Sequence, residues 1–579
     1  MANTGDLNAQ FCATLVDEWV AQGVVHAVVA PGSRSTPLAL ALARHRDVHV
    51  TVVLDERSAA FRALGIGRAT AAPAVLLCTS GTAAAHFYPA VVEAHHSNVP
   101  MIVCTADRPP ELRDTGAGQT IDQVGIYGSA LRWLCDPGAP VAGQSGFWRS
   151  IAARGCSVAC GDGALAPGPV HYNLAFREPL VGVGGALGLR GVRSFATRSV
   201  ATDTVVAAVR DIALANSHGV IVAGWGCDVS PAVLRELSIA SGWPILADAI
   251  SNVRCGDRVI AHYEAVARDV TGAQRLRPDA VMRFGAPLTS KITNQWIASA
   301  THQIVVDAHN AWLDPLRSCT VRIPAHGAEF ASALTDSLVA TAGESPDRST
   351  AWFSQWSHAD TLVRGAFDAA FERRDQLDGA RLGRDVVANI VAGAHLLVAS
   401  SMPVRDLEWC AHPQQHAVVH ANRGANGIDG LIATACGIAL ASAAPTYAVV
   451  GDLALLHDAG SLLGLRDLPI ELTIVVVDNR GGGIFSFLAQ FEATATEEFE
   501  RLFATPQDVV VEDVAAAYGV AAVRVSTPAQ LREQLRQRTP GVRVVVATTV
   551  DRPTEVLLHR ELWQVASQAL SPDADRGSS

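Results

Sequence analysis

The segment VVGDLALLHDAGSLLGLRDLPIELTIVVVDNRGGGIF, residues 449–485, indicates how the rest of the chain is organised. An apolar run, residues 447–450, stops at Gly451-Asp452, and a helical segment follows. A second apolar run, residues 472–477, stops at Asp478-Asn479 and three glycines. This pattern predicts two parallel strands joined by a helix. Both loops then lie at the carboxyl edge of one sheet, where α/β proteins bind ligands.

The two predicted loops place hard oxygen ligands close together. Asp452 offers a carboxylate, Asn479 offers an amide oxygen, and the bend at Arg480-Gly481 can turn a backbone carbonyl toward the same point. Such ligands suit Mg²⁺, and the glycines let the backbone approach an anion closely. The alternative is an ordinary strand–helix–strand unit whose polar residues only cap the loops.

This segment resembles the cofactor motif of the thiamine-diphosphate enzymes, which is Gly-Asp-Gly, a spacer of similar length, and Asn-Asn. Leu453 replaces the last glycine and Asp478 replaces the first asparagine, while the metal-ligating positions Asp452 and Asn479 are kept. The resemblance implies bound thiamine diphosphate with Mg²⁺, and Mn²⁺ as a second ion that such a site accepts. Its implied metal ligands are Asp452, Asn479 and Gly481, and its implied cofactor-binding residues are Glu56, Ile428, Gly451, Asp452, Leu453, Asn479, Gly481 and Ile484.

The composition describes a large globular enzyme. The 579 residues correspond to about three to four domains by size, and 49% of them are hydrophobic against 17% charged. The net charge of −11 argues against nucleic acid as the main partner. Eleven cysteines, an odd and scattered set, suggest reduced thiols and a cytoplasmic protein.

No membrane span is predicted. Residues 430–451 carry no charge over a length that could cross a bilayer, but they divide into a buried helix and a core strand. Asp6 and Asp17-Glu18 break the first apolar run, which argues against a signal peptide.

The first third of the chain repeats a strand–loop–helix pattern. Strands are predicted at 24–30, 48–54, 74–78 and 100–105, and a single helix is predicted from residue 82 to 93. The loop 31–37 is a Gly/Ser turn with an arginine at a helix start, which suits an anion, although Ser35 or Thr36 could simply cap the helix. Glu56 follows the second strand, where it is either a first-turn charge or a functional carboxylate.

Five segments narrow the resemblance. They read PGSRSTP at 31–37, DERSAAF at 55–61, TSGTA at 79–83, ADRPPEL at 106–112 and FREPL at 176–180. They are similar to those of the 2-succinyl-5-enolpyruvyl-6-hydroxy-3-cyclohexene-1-carboxylate synthases, thiamine-diphosphate enzymes of menaquinone biosynthesis. The similarity runs from about residue 10 to the end of the last predicted sheet.

The resemblance also implies roles for single residues. Glu56 stands where a glutamate bonds the aminopyrimidine ring of the cofactor, and Glu56 and Gln119 are the implied catalytic residues. The implied substrate-binding residues are Ser33, Arg34, Arg108, Lys291, Ser401, Arg405, Arg423 and Phe485. Lys291 is the chain's single lysine, so its survival among arginines is either functional or chance. Arginines in such loops are either surface charges or, beside a phosphate site, anion receptors.

The predicted fold class is α/β, with three domains that each hold a mostly parallel sheet flanked by helices. We expect a pyrimidine-binding domain at 1–185, a central domain at 199–345, and a diphosphate- and Mg-binding domain at 355–579. The predicted boundaries are the Gly-, Val- and Arg-rich segment 181–198 and residues 342–360. Later strands are expected at 219–223, 245–247, 280–284, 303–307, 395–400 and 417–420.

The implied reaction is decarboxylation of 2-oxoglutarate and 1,4-addition of the resulting succinyl carbanion to isochorismate. The family also implies a homodimer, or a dimer of dimers, whose active sites are shared between chains. One alternative is another thiamine-diphosphate carboligase, of the acetolactate-synthase type, with a flavin or acyl-CoA site in the central domain. Another is a non-catalytic binding protein that kept the fold, against which the intact Glu56, Asp452 and Asn479 argue.

Overall fold

The computed structural model describes residues 3–161, 165–187, 198–342, 350–413 and 416–571. Its strands form three six-stranded sheets, and the neighbouring strands pair in parallel. The predicted α/β class with three mostly parallel sheets is confirmed. Parts of both predicted boundaries, 188–197 and 343–349, lie outside the described residues, and the domain limits stay predictions.

The first sheet has the strand order β2-β1-β3-β4-β6-β5. Its strands are β1 His26–Val29, β2 His49–Val52, β3 Ala74–Cys78, β4 Met101–Asp107, β5 Trp133–Cys135 and β6 Pro169–Ala175. Its helices are α1 Thr4–Ala21, α2 Thr36–Arg44, α3 Glu56–Thr70, α4 Thr82–His86, α5 Tyr88–His96 and α6 Ser145–Cys160. Apolar clusters cover both faces, with Ile102 in one and Val103 in the other, as the strand period of two requires.

The second sheet has the order β12-β11-β10-β7-β8-β9. Its strands are β7 Gly219–Ala223, β8 Ile245–Ala247, β9 Val259–Ile260, β10 Ala280–Phe284, β11 His302–Val306 and β12 Val321–Ile323. Its helices are α7 Asp203–Ala215, α8 Pro231–Ser241, α9 Tyr263–Arg268, α10 Val270–Arg275, α11 Lys291–Ile297 and α12 Gly327–Ala342.

The third sheet, β14-β13-β15-β16-β18-β17, repeats the topology of the first. Its strands are β13 His395–Val398, β14 Val418–His420, β15 Thr446–Gly451, β16 Glu471–Asp478, β17 Ala521–Val525 and β18 Gly541–Thr548. The helices of this part are α13 Thr350–Glu372, α14 Gly379–Asn389, α15 Met402–Cys410, α16 Leu431–Ser442, α17 Asp452–His457, α18 Gln490–Ala493, α19 Thr496–Phe499, α20 Val511–Ala517, α21 Pro528–Arg536 and α22 Arg552–Leu570.

Two predicted helices are interrupted in the structure. The helix expected from 82 to 93 is two helices that meet at Phe87, because Pro89 lacks an amide hydrogen and therefore starts a new helix. Between β15 and β16, α17 is followed by 3₁₀ turns at Ala459–Leu462 and Leu465–Asp467. Gly464 separates the two turns with a φ of 74°, a left-handed conformation that glycine adopts readily.

Helices α3 and α16 join the first sheet to the third within one chain. A Cβ atom on Gly65 would collide with the carbonyl of Thr434, and one on Gly437 would collide with the carbonyl of Arg62. The two helices therefore touch backbone to backbone. Among the helices of the described ranges, none is both long and apolar enough to span a bilayer, and residues 430–451 are divided between α16 and β15 as expected.

Candidate active site

The loops that follow β15 and β16 lie side by side at the carboxyl edge of the third sheet. The amide of Gly481 donates a 2.7 Å hydrogen bond to Asp452 Oδ2, and the amide of Leu453 donates a 2.7 Å bond to Asp452 Oδ1. The strand order reverses between β13 and β15, so this edge is the topological switch point at which α/β sheets bind ligands.

Burial sets the ionisation of the Asp452 carboxyl group. Its side chain is almost completely enclosed, and this loss of water raises its pKa to about 6, against the lowering effect of the Leu453 and Gly481 amides. An opposite charge close to the carboxylate favours its ionised form. A divalent cation in this loop would therefore restore the charge that burial disfavours.

Asn479 provides an independent sign of a metal site. Its side-chain oxygen Oδ1 is buried, and within the described part of the chain it has no hydrogen-bond partner. A buried acceptor left unpaired costs about 1–3 kcal/mol. Together with Asp452 and the adjacent Gly481, this oxygen forms a donor set of hard atoms, so the residues present fit a divalent cation of the Mg²⁺ type.

The bend after Asn479 requires glycine at position 481, and both of its carbonyls accept hydrogen bonds. Gly481 has a φ of 133°, and a Cβ atom there would collide with the carbonyl oxygen of Ala504, so only glycine fits. The guanidinium of Arg552 is bonded to the carbonyl oxygen of Arg480. The carbonyl of Gly481 in turn accepts a 2.9 Å hydrogen bond from the amide of Gly483, so a metal ion could use only its second lone pair.

The two departures from the thiamine-diphosphate motif are both accommodated. Asp478 accepts a 2.7 Å bond from Arg524 Nη1, and Arg524 also forms a two-pronged ion pair with Glu512. The negative charge that Asp478 adds is therefore paired with Arg524, although its neighbour in the chain is Asn479. Leu453 keeps the backbone bond to Asp452.

A cavity of about 220 Å³, here called the inner cavity, opens between these loops. Nine of the residues singled out in the sequence line it: Ser401, Ile428, Gly451, Asp452, Leu453, Asn479, Gly481, Ile484 and Phe485. The inner cavity therefore brings the predicted metal and cofactor residues of the third sheet to one place.

A larger cavity of about 540 Å³, here called the outer cavity, lies next to it and shares Met402, Ile484 and Phe487 as lining residues. Lys291, the first residue of α11, and Arg405 on α15 both line the outer cavity. Arg268 and Arg560 line the same space, but each is paired with an acid that also lines it, Glu264 and Glu492 respectively.

Arg405 is half-buried and held at one end. Its Nη1 donates bonds of 3.0 and 2.6 Å to the carbonyls of Ser400 and Ser401. Burial and then the positive charge of Arg423 lower its pKa, which shows that the two guanidinium groups act on each other. Arg423 itself lines neither cavity. The cationic side of the outer cavity suits anionic ligands.

Five predicted residues near the first sheet line neither cavity. They are here called the first-sheet group and are Ser33, Arg34, Glu56, Arg108 and Gln119. They gather instead at the carboxyl edge of their own sheet. Arg108 Nη1 donates a 3.1 Å bond to the carbonyl of Gln119, and Gln119 Nε2 donates a 2.8 Å bond to the carbonyl of Ser80. Within one chain, the structure therefore divides the predicted residues into two groups.

Two members of this first-sheet group have defined surroundings. Arg34 donates bonds of 3.0 and 3.1 Å to the carbonyl of Phe176 and to Glu178. Glu56 is the half-buried first residue of α3, where Asp55 caps the helix. The next residue, Arg57, reaches the carbonyl of His457 at 3.1 Å. This contact ties the start of α3 to the end of α17 in the same chain.

Several residues around the cavities were not found by sequence reasoning. They are Arg524, Arg552 and a buried group formed by Asp406, Glu555 and His559. These side chains come from elements far along the chain from the loops that they support. The one local signal is the spacing of four residues between Glu555 and His559, which places them on one face of α22.

Comparison with known protein families defines the class. Residues 11–126 match the thiamine pyrophosphate enzyme N-terminal TPP binding domain, residues 193–398 match the middle domain of thiamine pyrophosphate enzymes, and residues 401–547 match the C-terminal TPP binding domain. The fold, the inner cavity and these matches together define a thiamine pyrophosphate enzyme.

Curated relatives narrow this to one family. The chain is similar to proteins named 2-succinyl-5-enolpyruvyl-6-hydroxy-3-cyclohexene-1-carboxylate synthase. It is 38% identical to the one from Chloroflexus aurantiacus, over 96% of both chains. It is also 38% identical to the one from Myxococcus xanthus, over 97% of this chain and 98% of the relative. The one from Thermobifida fusca is 41% identical over 96% of this chain and 98% of its own. The chain belongs to this synthase family.

Proposed function

We propose that the chain is a thiamine-diphosphate- and Mg²⁺-dependent transferase that decarboxylates 2-oxoglutarate and adds the succinyl unit to isochorismate in a 1,4-addition, a step of menaquinone biosynthesis. The observation that carries the proposal is the orphaned Asn479 Oδ1 beside the desolvated Asp452, in a cavity that shares a wall with a larger cationic one.

The inner cavity is the proposed cofactor site. Asp452, Asn479 and Gly481 would ligate Mg²⁺, or Mn²⁺ in its place, and the residues that would hold the cofactor are Ile428, Gly451, Leu453 and Ile484. When bound, thiamine diphosphate supplies an electron sink that stabilises negative charge on the carbon next to it, as decarboxylation of a 2-oxo acid requires.

The outer cavity is the proposed substrate site. Both substrates are dicarboxylates, and Lys291 and Arg405 would pair with their carboxylate groups there. Arg423 lines neither cavity but acts electrostatically on Arg405, and it would add a positive charge from beside the site. Ser401 and Phe485 would complete this site from the third sheet, and Ser33, Arg34 and Arg108 would do so from the first. Ile484 and Phe485 form an apolar wall that keeps water away from the reacting carbon.

The proposed assembly is a homodimer or a dimer of dimers. In it, the first-sheet group of one chain, with Glu56 and Gln119 as catalytic residues, faces the inner cavity of another chain. The support is that none of the predicted first-sheet residues lines either cavity of its own chain. A cytoplasmic location stays a prediction that rests on the odd, scattered set of eleven cysteines.

Product analysis tests this function. The protein is incubated with thiamine diphosphate, Mg²⁺, 2-oxoglutarate and isochorismate, and the mixture is analysed by mass spectrometry. We expect the succinylated cyclohexene product and CO₂ in equal amounts, and no product from the Asp452→Ala variant. The comparisons do not favour the acetolactate-synthase alternative, so pyruvate should yield no carboligation product. Acetolactate from pyruvate, or no product from the cofactor-loaded wild type, would contradict the proposal.

A further inference from the structure

Three buried ionisable side chains, Asp406, Glu555 and His559, form a cluster in the wall between the two cavities. One carboxylate oxygen from each acid and one ring nitrogen of the histidine all lie within 4.8 Å of one another. Asp406 and Glu555 line the inner cavity, and His559 lines the outer one. They are 3%, 7% and 2% exposed, respectively. Two acidic side chains therefore face the space proposed for a diphosphate, and nothing in the proposed reaction uses them.

The imidazole of His559 is held by acceptors on both sides. Nε2 lies 2.8 Å from Asp406 Oδ1, and Nδ1 lies 2.9 Å from the carbonyl oxygen of Glu555 and 3.3 Å from its Oε1. Both ring nitrogens therefore carry protons, and the ring is a cation without a lone pair for a metal ion. Burial by itself lowers the pKa of His559, but the hydrogen bond to Asp406 and its charge raise it to about 9.

The two carboxyl groups converge on Gly379. The Gly379 amide donates a 2.9 Å bond to Glu555 Oε1, and a Cβ atom on this glycine would lie 2.6 Å from Asp406 Oδ2 and 2.9 Å from Glu555 Oε1. Two carboxyl groups this close cannot easily both be ionised, so one of them keeps a proton. Burial raises the pKa of both carboxyl groups, that of Glu555 to about 8; because Asp406 is the partner of the His559 cation at 2.8 Å, we place the retained proton on Glu555.

Neighbouring charges do not upset this balance. Asp378, the N-cap of α14, lies next to the cluster and forms a 3.2 Å ion pair with Arg374. Arg405 precedes Asp406 on α15 and acts on it electrostatically, but it extends into the outer cavity. The cluster thus contains one negative charge, one positive charge and one neutral acid.

We propose that Asp406, Glu555 and His559 are a charge-balanced positioning cluster that allows acidic side chains to line the cofactor cavity without repelling the diphosphate. The cation on His559 cancels the charge of Asp406, and the retained proton removes the charge of Glu555. The inference rests on the proposed cofactor. It adds three residues that set the affinity for that cofactor without ligating its metal ion.

Charge-changing variants test the cluster. Thiamine diphosphate is titrated into the Mg²⁺-loaded protein at pH 7 by calorimetry, with circular dichroism as a check of folding. His559→Gln leaves an uncompensated negative charge, so the Kd should rise at least tenfold. The double variant combines His559→Gln with Asp406→Asn. It loses one positive and one negative charge relative to the wild type, so its Kd should return to within about threefold of the wild-type Kd.

The double variant separates charge balance from structural support. A cluster that only supports the fold would be weakened further by the second substitution. An unchanged Kd in His559→Gln, or a double variant no better than the single one, would overturn the inference. A wild type that fails to bind thiamine diphosphate would instead refute the proposed function, so the two failures are distinguishable.

A second measurement needs only the wild type and Glu555→Gln. Raising the pH only from 7 to 8 leaves His559 mostly charged but removes the retained proton from about half of the Glu555 carboxyl groups, so the wild-type Kd should rise about twofold. Glu555→Gln cannot lose this proton, and its Kd should change less over the same range. If the wild-type Kd is constant, or if both proteins change equally, the cluster does not act as inferred.

Discussion

The amide of Gly481 donates a 2.7 Å hydrogen bond to the carboxylate of Asp452, which lies 29 residues earlier in the chain. The loop that follows β15 is thereby anchored on the loop that follows β16. The carboxylate is held in place by the loop that also carries Asn479, so the proposed metal ligands are arranged by the protein itself. Such preorganisation lowers the entropy that binding must overcome.

Removing either oxygen ligand should weaken cofactor binding. In Asp452→Ala and Asn479→Ala we expect a Kd for thiamine diphosphate raised at least tenfold, which excess Mg²⁺ only partly restores, because each variant removes one donor from the same ion. Isothermal titration calorimetry measures this directly. Asp478→Asn is the matched control: its side chain pairs with Arg524, so its Kd should stay within about threefold of wild type. Unchanged affinity in both alanine variants would place the metal elsewhere.

Glu56→Gln should separate turnover from binding. The amide keeps the size of the side chain and its place at the start of α3, so folding and cofactor affinity should be retained. It cannot supply the proposed carboxylate contact to the cofactor ring, and kcat should fall by more than tenfold, or about 1.4 kcal/mol in the barrier. Steady-state kinetics with cofactor titration provides the test, and a rate within tenfold of wild type would exclude the assignment.

The cations of the outer cavity should act on substrates more than on the cofactor. Lys291→Ala and Arg405→Ala each remove a charge-assisted contact worth about 1.5–3 kcal/mol, so kcat/KM should fall tenfold to a hundredfold. Arg538→Ala is the control, because Arg538 is an exposed partner of Glu471 at the amino end of β16, away from both cavities. Wild-type kcat/KM for both substrates in both test variants would rule out the basic substrate site.

Acid should destabilise the first sheet through His171. This imidazole is fully buried beside Thr105, and burial lowers its pKa to about 3. Below the ordinary histidine pKa of about 6.5, the unfolded chain binds a proton that the folded chain does not, so stability falls as the pH falls.

Between pH 7 and 5 this single group should cost about 2 kcal/mol of the free energy of unfolding. Denaturant unfolding at the two pH values measures the loss. In His171→Gln, which cannot titrate, the loss should be smaller by about that amount. An equal loss in the variant would show that other groups set the acid sensitivity.

The sequence predicts several buried strands with accurate bounds, but it misses the buried β18 and some of the short edge strands. Residues 74–78 and 219–223 are continuous apolar runs, and residues 280–284 are apolar except for Arg283. They form β3, β7 and β10 with these bounds because both faces of such strands are buried. By contrast, β9 has two residues and β12 three, and both lie at sheet edges, where little apolar periodicity is needed.

The residues of the candidate site, too, could be predicted from the sequence only in part. Ligands such as Asp452 follow directly from a strand end, and the parallel topology then brings strand ends together. The cluster of Asp406, Glu555 and His559 depends on how α22 packs against α15, which no local pattern specifies. Likewise, nothing near Asp478 in the sequence indicates that Arg524 pairs with it.

The central claim is that each active site combines the first-sheet group of one chain with the inner cavity of another. It is tested by unfolding Glu56→Gln and Asp452→Ala chains, each inactive alone, and refolding them together. A mixed dimer then has one site with both defects and one with neither. Asp452→Ala mixed with Asn479→Ala is the control, because every site in that mixture keeps one defect.

The deciding measurement is the rate of product formation from 2-oxoglutarate and isochorismate by the refolded mixture. Random pairing makes about half of the dimers mixed, so roughly a quarter of all sites should be intact, and activity should return toward a quarter of the wild-type rate. The control mixture should stay inactive. A Glu56→Gln and Asp452→Ala mixture without activity, in which mixed dimers are shown to form, would contradict the shared site.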